Sequence, residues 1–213
     1  MQFFFVLLSQ KNINMTVLYL VRHGETVDNA NQIMQGQTQG ELNEKGIAQA
    51  REVAEKLLGE HFDAFVSSDL KRSFDTAAII ARPHHLPVVT TPLLRERDWG
   101  SFTGKYIPDL KDKVWPDDIE SLDALKRRAT EFLNYIRTTF PDQRVIAVGH
   151  GIINKAIQSV YFDKPMNEIH KMTNAEIRIL ELELFYLRLA ALLERMPRLE
   201  EEDFTLRLEL LPP

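Results

Sequence analysis

Leu18-Tyr19-Leu20-Val21-Arg22-His23-Gly24-Glu25-Thr26 is the stretch that decides the fold class. It continues an apolar run that starts at Val17, is of strand length and is rich in β-formers, the pattern of a strand buried on both faces of a parallel sheet. The run stops at Arg22-His23-Gly24. Charged and imidazole groups at the carboxyl end of such a strand stand where open α/β sheets bind ligands, and Gly24 lets backbone approach a ligand closely. The unit recurs: Val145-Ile146-Ala147-Val148 is a second buried-type strand, followed by Gly149-His150-Gly151 and an apolar helical segment. The expected class is α/β, and the repetition predicts that His23 and His150 meet at one edge of the sheet.

Composition narrows the possibilities. With 213 residues, 44% apolar and 27% charged, the chain fits one globular domain over 1–213, with its core at about 16–184 and extensions at 1–14 and 185–213. A net charge of -5 argues against nucleic acid or an anionic membrane as partner, so the basic residues that matter should be concentrated locally. The absence of cysteine excludes disulfides, thiolate catalysis and Cys-based zinc sites, and is compatible with a reducing cytosol. A cytoplasmic location is expected. The apolar opening Met1-Gln2-Phe3-Phe4-Phe5-Val6-Leu7-Leu8 is too short for a membrane span and lacks the features of a signal peptide. With Met15 just before the first strand, residues 1–14 read as an accessory strand or an upstream start.

Along the chain, Thr26 to Glu41 is an amide-rich loop beside Arg22-His23, in which Asn29 and Gln35 are candidate donors to an anion. Helical spacing from Leu42 to Gly59 predicts a helix capped by Asn43. Phe62 to Ser67 predicts a strand, and Ser68 or Asp69 a cap for a helix from Leu70 to Ala81. Lys71 and Arg72 fall in the first turn of that helix, where the macrodipole disfavours cations unless an anion compensates. Lys71 reads as solvated; Arg72, between a strand end and a helix start, stands where phosphate is commonly held. Pro87 to Thr91 is a further strand, leading to Glu96. Ser101 to Glu120 has no clean period and reads as an inserted loop-rich lid, the alternative being a surface loop whose aromatics Phe102, Tyr106 and Trp115 anchor it to the core. Ser121 caps an amphipathic helix through Ile136, and a helix from Ile152 to Tyr161 follows the second histidine strand. Glu176 to Leu184 alternates as a strand, Phe185 to Met196 is helix-like, and Phe204 to Leu211 alternates again. That last part is a possible homodimer contact.

The groups gathered at one edge are then Arg22, His23, Arg72 and His150, with Glu96 as carboxyl and Glu25 as its rival. Paired guanidiniums suit a tetrahedral dianion. His23 is the nucleophile of choice, His150 the electrostatic donor opposite, and a carboxylic acid must protonate the departing alkoxide. The motifs Leu20-Val21-Arg22-His23-Gly24-Glu25-Thr26, Ser67-Ser68-Asp69-Leu70-Lys71-Arg72, Leu94-Arg95-Glu96 with Gly100 and Gly104, and Val148-Gly149-His150-Gly151 resemble the histidine phosphatase superfamily, also called the phosphoglycerate mutase-like family. The resemblance implies a three-layer α/β/α sandwich around a mostly parallel sheet, with no metal and no cofactor. It implies a phosphohistidine on His23, and phosphate held by Arg22, Arg72 and His150 beside Gly151, with Glu96 as proton donor. Asn29 and Gln35-Gly36 match positions lining the phosphate pocket. The chain departs from the phosphatase members at Gln39 and Glu41, where an Asp and a Pro are usual. Phosphoglycerate mutases carry a longer insertion with paired arginines after the acid; the short segment between Glu96 and Ser121 has no such pair, which favours hydrolysis of a small phosphorylated metabolite. A mutase and a non-catalytic phosphoprotein-binding module are the alternatives.

Overall fold

The computed structural model describes residues 15–183. The chain divides into a unit of residues 15–182 and a second unit of residues 1–14 with 183–213. Of the second, only Glu183 is among the described residues; the expected helix at Phe185 to Met196, the alternating run at 204–211 and the opening segment lie outside them.

Five strands, β1 (Met15–Arg22), β2 (Ala64–Ser68), β3 (Val88–Thr91), β4 (Arg144–Gly149) and β5 (Ile177–Glu183), form one sheet in the order β3-β2-β4-β1-β5. The pairs β1·β4, β4·β2 and β2·β3 are parallel. β5 starts where β1 ends, since Arg22 N–H donates to the Glu176 carbonyl, and runs back along it. The helices are α1 (Val27–Ala30), α2 (Glu44–Leu57), α3 (Lys71–Ala81), α4 (Leu122–Thr139) and α5 (Gly151–Phe162).

Alternation along the strands makes the three layers. Leu18, Leu20, Val145 and Ala147 face one way, onto Leu125, Phe132 and Ile136 of α4 and Ile153 and Ile157 of α5. Tyr19, Val21, Ile146 and Val148 face the other way, onto Val53 and Leu57 of α2 and Ala77 and Ile80 of α3. Burying each such side chain contributes about 1.5–3 kcal/mol, which is why both faces of β1 and β4 are apolar. The chain leaves β1 toward the α2 side and β4 toward the α5 side. The connections diverge between adjacent strands, and that opens a crevice above their carboxyl ends.

Two local expectations are corrected. Neither Ser68 nor Asp69 caps α3: Leu70 occupies the cap position without a side-chain bond, and the Lys71 N–H is instead taken by Gln39 Oε1 at 2.8 Å. Asp69 turns away to pair with Arg95. Gly24 does admit close backbone, but that of the protein: a Cβ there would lie 2.4 Å from the Gly46 carbonyl oxygen, so its small size docks the start of α2 rather than a ligand. Lys71 is exposed as expected, and at the surface it pairs with Asp75 one turn on, at 2.5 Å.

Candidate active site

The β1·β4 register sets Arg22 opposite Gly149, so the residues that follow, His23 and His150, come out level. His23 N–H donates to the Gly149 carbonyl at 3.0 Å, and the two imidazoles lie 5.0 Å apart between centroids. Both are buried, His23 at 3% and His150 at 0% exposure. The His23 Nδ1 lies 2.7 Å from the Gly24 carbonyl oxygen. A carbonyl can only accept, so Nδ1 carries the proton and Nε2 keeps its lone pair. Burial first, then the charges of Arg72 and Arg22, hold the His23 pKa well below its ordinary 6.5. His150 is lowered for the same reasons, burial ahead of Arg72. Two neutral imidazoles therefore stand side by side beneath guanidiniums.

β2 delivers Arg72 at the first turn of α3. Its guanidinium is 1% exposed as a residue and donates to the Gly36 carbonyl at 2.8 Å and to the carbonyls of Thr38 and Gln39. Burial pulls its pKa down to about 10. Arg22 is fixed by one bond, to the Met172 carbonyl at 2.7 Å. What remains is informative: the Nε of Arg22, the Nε of Arg72 and both ring nitrogens of His150 are buried without a partner among the described residues. Buried donors are normally satisfied, and each orphan costs about 1–3 kcal/mol. Such a set, converging from the carboxyl ends of β1, β2 and β4, suits an anion.

Glu96 lies in the loop after β3 and reaches the amino end of α5. Its Oε1 accepts from Arg97, Ile152 and Ile153 N–H, at 2.9, 3.1 and 3.1 Å. Arg22 and Arg72 both feel its charge. The rival Glu25 is engaged elsewhere, paired with Lys45 at 2.8 Å and receiving Asn43; hydrogen bonds from these two lower its pKa.

The amide loop acts mostly through Arg72. Gly36 offers its carbonyl, and Gln35 is buried at 8%, donating to Thr26 Oγ1 at 2.7 Å and leaving Oε1 unpartnered. Asn29 completes the capping box of α1 with Thr26, and its Oδ1 receives Asn174. Gly151 opens α5, and a Cβ built on it would sit 3.1 Å from Lys171 Cε and 3.5 Å from Arg22 Nε, so the missing side chain leaves room for both. The two departures from the phosphatase pattern are also load-carrying contacts: Gln39 caps α3, and the Glu41 carbonyl accepts Val27 N–H.

Other residues at the site were not legible in the motifs. Arg128 of α4 reaches across to the carbonyls of Leu93, Arg95 and Glu96 while pairing with Glu120, so it clamps the loop that carries Glu96. Asn174 donates to the His23 carbonyl. Lys171 lies beside Arg22. The one signal for the last two is topological: a strand running back along β1 must begin at the edge where the parallel strands end. In the segment after Glu96, Trp115 lies against Trp99 and Phe102 and Arg97 stacks between Trp99 and Trp115, while Tyr106 and Trp115 stay exposed at 44% and 55%. No helix among the described residues is long and apolar enough to cross a membrane.

Residues 18–192 match the family model of the histidine phosphatase superfamily, branch 1. The chain is 36% identical to the uncharacterized phosphatase PhoE of Bacillus subtilis, over 76% of its own length and 86% of that protein's. It is also 36% identical to a metal-independent phosphoserine phosphatase of Arabidopsis thaliana, over 78% and 76%. A mycobacterial glucosyl-3-phosphoglycerate phosphatase superposes with a TM-score of 0.71 at 27% identity, covering 78% of this chain and 90% of the other.

Proposed function

The chain belongs to the histidine phosphatase superfamily, and we propose that it is a metal-independent phosphomonoester hydrolase that forms a phosphohistidine on His23 and acts on a small phosphorylated metabolite. The observation that carries the reading is the imidazole pair, 5.0 Å apart, facing the unpartnered donors of Arg22 and Arg72. His23 Nε2 attacks phosphorus in line with the ester oxygen. The N–P bond forms as the P–O ester bond breaks, and the charge on the transferring oxygens is met by Arg22, Arg72 and an N–H of His150. Glu96 gives its proton to the leaving alkoxide. In the second half Glu96 takes a proton from water, the water oxygen attacks phosphorus, the N–P bond breaks, and inorganic phosphate and neutral His23 result.

Hydrolysis is favoured over mutase chemistry, although probable phosphoglycerate mutases also stand among the relatives. A mutase must retain and turn a doubly anionic intermediate, whereas a phosphatase need only admit water. The segment between Glu96 and Ser121 is a short run of turns pinned to the amide loop by Met34 and Gln32. The reading includes a cytoplasmic location, in keeping with the absence of cysteine. The test is release of inorganic phosphate from p-nitrophenyl phosphate by wild type and His23→Ala, alongside a coupled assay for conversion of 3- to 2-phosphoglycerate. Unchanged turnover in His23→Ala removes the nucleophile; isomerisation outpacing phosphate release replaces hydrolase by mutase.

A further inference from the structure

We propose that Lys171 is a specificity residue that binds a second anionic group of the substrate, a carboxylate close to the phosphate ester. This rests on the phosphatase reading and names the substrate class for that site.

The backbone around Lys171 is fixed to the catalytic edge. Its neighbour Met172 is buried at 1%, and the Met172 carbonyl accepts from Arg22 at 2.7 Å. Asn174 donates to the His23 carbonyl, and Ala175 N–H to that of Arg22 at 3.0 Å. The lysine stem crosses the start of α5: its Cε would be 3.1 Å from a Cβ built on Gly151, on the same spot that faces Arg22 Nε. Burial and then the nearby Arg22 lower the Lys171 pKa. Yet the Lys171 side chain has neither ion pair nor hydrogen bond among the described residues, while the guanidiniums of Arg22 and Arg72 are each tied to carbonyls. Unlike those arginines it is exposed as a residue, so it stands at the mouth of the site rather than at its floor.

Charge balance says what it meets there. When Glu96 carries the proton that a general acid must donate, Arg22 still has Glu176 nearby and Arg72 has Asp28, whereas Glu96 was the acidic group acting on Lys171. The phosphate dianion meets the two guanidiniums. Lys171, at the rim, is then the cation matched by a further negative charge on the organic part of the substrate. A lysine suits this role, since its flexible point charge meets a carboxylate without requiring the fixed fork of an arginine.

The experiment compares matched substrates with and without the carboxylate: O-phosphoserine against O-phosphoethanolamine, and 3-phosphoglycerate against glycerol phosphate. Lys171→Met should raise KM about tenfold for the carboxylated member of each pair, the effect of losing one charge-assisted hydrogen bond. The other members, and inhibition by inorganic phosphate, should stay within about twofold of wild type by the same reasoning. Lys171→Arg should restore part of the preference. Equal losses for both members of a pair, or weaker inhibition by inorganic phosphate, would place Lys171 on the phosphate and overturn the proposal, as would no change for any substrate. If wild type fails on p-nitrophenyl phosphate as well, the phosphatase reading falls and takes this inference with it; if wild type turns over that ester but Lys171→Met leaves both members of each pair unchanged, the inference alone falls.

Discussion

The carboxylate of Glu96 receives the backbone N–H of Ile152 on both oxygens, each at 3.1 Å, while Oε1 alone collects the further donors Arg97 and Ile153. The amino end of α5 therefore orients this carboxyl group, and in the proposed mechanism Oε2, with fewer donors, is the oxygen that carries the transferable proton. Glu96→Gln keeps the shape and removes the proton. Turnover of alkyl phosphates should fall about 10²–10⁴-fold, the usual worth of general acid catalysis. In kcat/KM, which covers only the half-reaction up to release of the leaving group, p-nitrophenyl phosphate, whose leaving group needs no proton, should lose far less. Its kcat falls too, because Glu96 also serves the water step. Equal losses of kcat/KM across a series of leaving groups would refute the acid role.

The two imidazoles make stability depend on pH. Both have folded pKa values below the ordinary 6.5 because they are buried beside arginines. Below 6.5 the unfolded chain takes up protons that the folded chain refuses, so stability is full above that value and is lost as pH falls toward the folded values. The slope approaches about 1.4 kcal/mol per pH unit for each histidine. Thermal melts in phosphate-free buffer should show Tm dropping from about pH 7 to about pH 5, above the range where carboxylates titrate, and His150→Gln should flatten the curve. A wild-type Tm indifferent to pH over that interval would contradict this.

Gly40 holds the floor under Arg72. Its φ is +62°, and a Cβ there would meet Gln35 Oε1 at 2.4 Å and Arg72 Cδ at 3.1 Å. Gly40→Ala should cost about 1–2 kcal/mol from left-handed backbone alone. It should also push Arg72 off its carbonyl cradle, weakening inhibition by inorganic phosphate along with KM for every ester. A variant that melts lower but binds phosphate as wild type does would show that the cradle tolerates the methyl group.

Arg128 and Glu120 pair at 2.6 Å with side chains 16% and 15% exposed. Removing one member of a mostly buried pair strands the other, at a cost of about 3–5 kcal/mol when burial is complete and less here. Arg128→Met should lower Tm and also lower kcat, because the carbonyls of Arg95 and Glu96 lose their clamp; Arg128→Lys, lacking the fork, should restore little. A lowered Tm with kcat intact would confine Arg128 to stability.

The chemistry at the strand ends was readable along the chain because it is local. An apolar run that stops at Arg22-His23, and another that stops at Gly149-His150, specify strand, turn and exit in consecutive residues, and parallel strands put such ends on one edge. The order β3-β2-β4-β1-β5, the cap on α3 from Gln39, the clamp by Arg128 and the seat of Lys171 have no such signature. They join residues far apart in sequence, Lys71 to Gln39 across 32 positions and Arg22 to Met172 across 150. Periodicity reports only which face of an element is buried, whereas packing alone ties Glu25 to Lys45 and brings Glu96 to the amino end of α5.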